Sequence, residues 1–147
     1  MTDEYYMSLA LTEARKAGEA GEIPIGAIIV SSSGRILGRG HNLTEALCDV
    51  TAHAEMLAIT SASQALGGKY LTDCTLYVTV EPCPMCAGAI GWSRIPRIVV
   101  GCRDPKRGYS TICAPGKSPL HARAYITYDV LGDQCRGLMQ EFFKSRR

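Results

Sequence analysis

The sequence predicts an α/β fold in three layers, a mixed sheet with helices on both faces. Apolar residues recur at helical spacing in four stretches, five others read as short strands, and strands alternate with helices in the middle of the chain. That alternation calls for crossover connections, and hence for some parallel pairing.

The elements follow in order. Residues 3 to about 18 carry Tyr6, Leu9, Ala10, Ala14 and Ala17 at helical spacing behind an acidic start, predicting a first helix. Residues 25–30 and 35–40 flank Ser32-Ser33-Gly34, a turn cluster that predicts an antiparallel hairpin. Residues 42–50 lack a period and read as a loop. From 52 to about 66, Met56, Leu57, Ile59, Ala62 and Leu66 form a helical stripe that puts His53 and Glu55 in a first turn. Residues 75–80 are rich in β-branched side chains and stop at Glu81-Pro82, where proline disfavours a continuing ladder. A short helix over 84–92, a strand over 97–101, a strand over 122–130 and an amphipathic helix over 134–147 complete the order α-β-β-α-β-α-β-β-α. The irregular stretch from Cys102 to His121, about twenty residues, exceeds most connections in compact domains and is a candidate functional element.

A chain of 147 residues suits one domain spanning 1–147. Hydrophobic residues make up 46% and charged residues 20%, without repeats or biased tracts, so neither disorder nor a solenoid is expected. The net charge of +2 excludes nucleic-acid binding by bulk electrostatics, and any such contact must be local. The acidic N-terminus and the lack of any run near about 20 apolar residues predict a cytoplasmic protein without membrane spans. Seven cysteines, at 48, 74, 83, 86, 102, 113 and 135, are an odd number in such a chain and point to reduced thiols or metal ligands.

Thr51-Ala-His53-Ala-Glu55 stands at one predicted helix start and Glu81-Pro82-Cys83-Pro-Met-Cys86 at another. One imidazole and two thiolates suit zinc, and three protein ligands leave a fourth tetrahedral position for water, whose pKa zinc lowers to about 7. Hydrolytic removal of an amine also requires moving protons from the attacking water to a ring nitrogen and to the departing amine. Glu55, close to the metal but not a ligand, is the candidate for that work. Within one helix His53 and Glu55 would diverge by about 200°, which limits how both can serve one site. His-x-Glu followed by Pro-Cys-x-x-Cys is the signature of zinc base deaminases. A closed structural zinc would instead need a fourth ligand from Cys74, Cys102, Cys113 or His121.

Glu22-Ile-Pro-Ile-Gly-Ala27, Gly40-His-Asn42, the two metal motifs within 51–55 and 75–89, Ser93-Arg-Ile95 and Phe142-Phe143 with the basic residues after them together span nearly the whole chain. On these residues the chain resembles the bacterial tRNA adenosine deaminases of the cytidine deaminase superfamily. The resemblance implies a cytidine deaminase-like five-stranded sheet sandwiched by helices, a homodimer with one zinc ion per subunit, and conversion of adenosine to inosine at the wobble position of a tRNA anticodon loop. It also implies that Asn42 contacts the nucleoside, that Ile25 and Ala27 lie near the base, and that the Ala54 N–H lines the pocket. Asp104 and Lys106 match the family's Asp and Lys in the long loop and are carried over as substrate-binding candidates.

Departures from the family pattern fall in the same region. Val50 replaces a proline, Gly108-Tyr109 replaces a pair of small residues, and Leu120-His121 stands for Asn-His. Tyr109 has three readings: it stacks on a splayed RNA base, it narrows the entrance so that only a free base or nucleoside of the guanine, cytosine or adenine type enters, or it packs within the loop. Lys106, Arg107, Lys144, Arg146 and Arg147 form either a local phosphate-binding patch or a solvated basic face.

Overall fold

Thr2 opens the first helix, its hydroxyl accepting the Tyr5 N–H at 3.1 Å while Asp3 and Glu4 meet the positive end of the helix dipole. The structure, a computed structural model, describes residues 1–146. After α1 (Asp3–Glu19), strands β1 (Gly26–Val30) and β2 (Ile36–His41) form the antiparallel hairpin around Ser32-Ser33-Gly34. α2 (Ala54–Leu66), β3 (Thr75–Val80), α3 (Pro84–Trp92), β4 (Arg97–Cys102), β5 (Tyr125–Thr127) and α4 (Gly132–Ser145) follow. The sheet order is β2-β1-β3-β4-β5, with β1 antiparallel to β2 and β3, and β3, β4 and β5 mutually parallel. This is the mixed five-stranded sheet of the expected α/β/α sandwich.

Residues alternate between the two faces of each central strand. Ala27, Ile29, Leu76, Val78, Ile98 and Val100 join Ala54, Ala58, Ala62 and Ile90 beneath α2 and α3. On the other face Ile28, Val30, Tyr77 and Val99 pack with Met7, Ala10, Leu11 and Cys135 beneath α1 and α4. Burial on both faces is why β1 reads as an unbroken apolar run. α2 lies unusually close to β2, because Gly38 and Gly40 leave room for its backbone. A Cβ on Gly40 would fall 2.8 Å from the Ala58 N, and one on Gly38 equally near the Ala62 N.

Three boundaries differ from expectation. α2 begins at Ala54, so His53 is its extended N-cap (φ −78°, ψ 157°). The cause is Asp49, whose carboxylate accepts from both the Thr51 N–H and the Thr51 hydroxyl and holds the preceding residues in a turn. β5 covers three residues rather than 122–130, because 121–124 close a turn (Ala124 N–H to His121 O, 2.8 Å) and Asp129 and Leu131 adopt positive φ. α4 starts two residues earlier than its apolar stripe suggests, with Asp133 in its first turn. The predicted end of that helix, Arg147, lies outside the described residues.

Asp3 ties α1 to the sheet. Its carboxylate accepts from Arg97 Nη1 at 2.9 Å and Nη2 at 2.6 Å and from the Tyr77 hydroxyl at 2.8 Å. The guanidinium is the main reason its pKa lies below the ordinary 3.8. The stabilisation is therefore present above that value and lost as pH falls through the lower, folded value. D3N should cost about 1–3 kcal/mol at pH 7 by urea midpoint, the cost of leaving hydrogen-bond donors without their charged acceptor. That penalty should shrink below pH 3.8; a penalty undiminished at about pH 2 would contradict this account.

Candidate active site

Two helix starts meet at one point. His53 caps α2 and Cys83 caps α3 (φ −70°, ψ 168°), each with extended backbone and neither making a side-chain capping bond. Pro84 at the first position of α3 is pre-set for a helix and has no N–H to satisfy, and Cys86 follows in the first turn. His53 Nδ1 lies 3.6 Å from Cys83 Sγ and 3.5 Å from Cys86 Sγ. A tetrahedral zinc site with bonds of about 2.0 Å to nitrogen and 2.3 Å to sulfur has an N to S edge of about 3.5 Å. The donor set thus fits zinc in both type and spacing. Among the described residues these three form the one candidate metal cluster, their ligand atoms within 4.8 Å of one another, and none of Cys74, Cys102, Cys113 or His121 joins it. The arrangement is that of an open, three-ligand site rather than a closed structural one.

Cys83 is drawn down to about 5, chiefly by a hydrogen bond from the Cys86 thiol and further by the N–H groups of Cys86 and Met85. Cys86, buried beside that thiolate, is raised. Binding a cation displaces the remaining thiol proton. Glu55 is buried, and burial pushes its carboxyl up to about 7, where it can hold or release a proton near neutrality. Because His53 precedes the helix, the divergence of about 200° expected within one helix does not apply. Glu55 instead faces the two sulfurs from the first turn of α2.

The sequence pattern of the cytidine and deoxycytidylate deaminase zinc-binding region matches residues 1–102. A tRNA-specific adenosine deaminase of Bacillus subtilis is 46% identical over 147 aligned residues, covering 99% of this chain and 91% of the relative. This chain belongs to the tRNA adenosine deaminases of the cytidine deaminase superfamily. It is a zinc-dependent hydrolytic deaminase. A solved structure from work on A-to-I editing by tRNA:A34 deaminases at the wobble position superposes with TM-score 0.81 at 41% identity, covering 91% of this chain and 98% of the other. A guanine deaminase from Nitrosomonas europaea gives TM-score 0.80 at 26% identity, over 95% and 83% of the two chains.

The other residues that the sequence of this deaminase singles out lie as follows. Leu43 pairs with Ala52 (N–H to O, 3.0 Å), which brings Asn42 beside the start of α2. Asn42 is buried, its Oδ1 accepting from the Thr44 N–H and its amide donating to Ile23 O. Ala27 and Ala54 are fully buried in one core cluster, with Ile25 packed against it. The Ala54 N–H opens a helix that no side chain caps. Asp104 uses Oδ1 to accept from the backbone N–H groups of Lys106 and Arg107, whose side chains are exposed. Tyr109 is 8% exposed and its hydroxyl meets that of Tyr128 at 3.4 Å, so the ring packs inside the loop rather than presenting a face to solvent. Of the basic residues near the C-terminus, Lys144 and Arg146 are exposed, Arg146 stacks on Phe142 at 4.5 Å, and Arg147 lies outside the described residues.

Glu22 plays a part that the motif reading did not assign. Its buried carboxylate accepts the N–H groups of Glu45 (2.9 Å) and Ala46 (2.8 Å), fixing the loop that carries Asn42 toward His53. The signal was a lone carboxylate inside an apolar segment, which must find donors if it is buried.

Chelation of the zinc-loaded protein should expose Cys83 as a reactive thiolate, adding at least one fast-reacting thiol to those already accessible, such as Cys48. Thiol titration before and after chelation measures this. The gain should disappear in C83A, and a thiol count indifferent to chelation would contradict the ligand assignment.

Proposed function

We propose that the chain hydrolyses adenosine to inosine and ammonia at the wobble position of tRNA. The observation that carries this reading is the open His53, Cys83, Cys86 cluster facing buried Glu55, in a chain 46% identical across almost its full length to a tRNA-specific adenosine deaminase. The lower identities of 26% and 34% to guanine deaminases of similar fold favour the tRNA substrate over a free base.

In this reading His53, Cys83 and Cys86 hold one zinc ion per subunit, which when bound supplies the Lewis acid that makes water nucleophilic at neutral pH. Glu55 carries one proton from the attacking water to the purine ring nitrogen and then the second, from the newly added hydroxyl, to the departing amine, so the carboxylate is regenerated as ammonia leaves. A C–O bond forms and a C–N bond breaks with no change in oxidation state. Asn42 and the Ala54 N–H orient the nucleoside, Ile25 and Ala27 bound the base, and Asp104, Lys106 and Tyr109 belong to the loop that meets the RNA. A single domain over 1–147, acting as a cytoplasmic homodimer, completes the proposal; no helix of the described residues is long and apolar enough to cross a membrane.

An anticodon stem-loop incubated with the zinc-loaded protein should accumulate inosine. E55A should keep zinc content near one per chain while kcat falls by about 10²–10⁴. Conversion of free bases or nucleosides alone would transfer the assignment to a small-molecule deaminase. Equal inertness of wild type and E55A toward every substrate would overturn the enzyme reading.

A further inference from the structure

Two residues before the first cysteine ligand, Glu81 is 4% exposed and pairs with no cation among the described residues. Its carboxylate is instead filled by donors from the long loop after β4. Oε1 accepts the Asp104 N–H at 3.2 Å, and Oε2 accepts the Ser110 N–H at 3.1 Å and the Ser110 hydroxyl at 2.5 Å. The neighbouring Tyr109 N–H donates to Pro82 O at 2.8 Å, so the same short turn holds the loop by backbone as well.

Gly108 gives an independent sign of this contact. Its φ is −60°, which any residue adopts, so backbone conformation does not require glycine there. Space does, since a Cβ would fall 2.6 Å from both Glu81 Oε1 and Asp104 O. Gly108 therefore makes room for the Glu81 carboxylate. Glutamine cannot replace that group: all three partners are donors, and an amide turns a donor toward either Asp104 or Ser110 whichever way it faces.

We propose that Glu81 is a positioning residue that holds the loop over 104–110 against the Cys83 turn and thereby sets affinity for the substrate. The proposal rests on the tRNA deaminase reading for its kinetic test but not for its structural one. It assigns Glu81 no proton transfer and no metal bond.

The test uses the full zinc-loaded chain in three variants, E81Q, G108A and S110A, with an anticodon stem-loop as substrate. E81Q and G108A should raise KM at least about tenfold and S110A about two- to fivefold, with kcat within about threefold and zinc content unchanged. Amide hydrogen exchange at Asp104 and Ser110 should accelerate at least about tenfold in E81Q while the amides of α3 keep their protection. A fall in kcat at constant KM, loss of zinc in the correctly folded variants, or unchanged exchange at Asp104 and Ser110 would each overturn the proposal. Should E81Q fail to fold, G108A and S110A decide by the same readings. If the wild type makes no inosine, the function reading fails while hydrogen exchange still decides the role of Glu81.

Discussion

Everything at this site depends on two helix starts being held nose to nose. α2 and α3 each begin with an uncapped ligand residue in extended backbone, so the free N–H groups and positive dipole ends of both helices converge where thiolates must form. A helix placed one turn away would lose the imidazole-to-sulfur distances of 3.5 and 3.6 Å. The fold fixes these starts from behind. Gly38 and Gly40 let α2 settle onto β2, and the parallel crossover from β3 to β4 sets α3 beside it on the same face.

Much of this was legible in the sequence, for physical reasons that differ by element. The strands and helices announced themselves through periodicity and through the Pro and Gly that stop them, and the ligand types at the starts of 53–55 and 83–86 by themselves specified metal chemistry. The position of His53 was not legible, because periodicity counts Ala52 as helical while Asp49 bends that segment into a turn. The extent of β5 was hidden likewise, since an apolar run does not reveal that Asp129 and Leu131 turn left-handed. Tyr109 left base stacking, a narrowed entrance and packing within the loop all open, and only its neighbour Tyr128, distant in sequence, shows why the ring faces inward.

The walls of the site are built differently from its floor. The floor is apolar sheet and helix, whereas each flanking loop is fastened by one buried carboxylate: Glu22 beneath the segment after Asn42, and Glu81 beneath the segment around Asp104. Neither carboxylate is matched by a cation among the described residues; each is satisfied by N–H groups, which have direction as well as charge. Such fastening allows loop sequence to change around a constant chemical centre, consistent with a similar fold serving both the tRNA-directed relatives and a guanine deaminase.

The open centre of one imidazole and two thiolates can be read by X-ray absorption of the zinc-loaded protein. Two sulfur neighbours at about 2.3 Å and two nitrogen or oxygen neighbours at about 2.0–2.1 Å are expected. Three or four sulfurs in the shell would mean that a further cysteine closes the site, and would contradict an open centre.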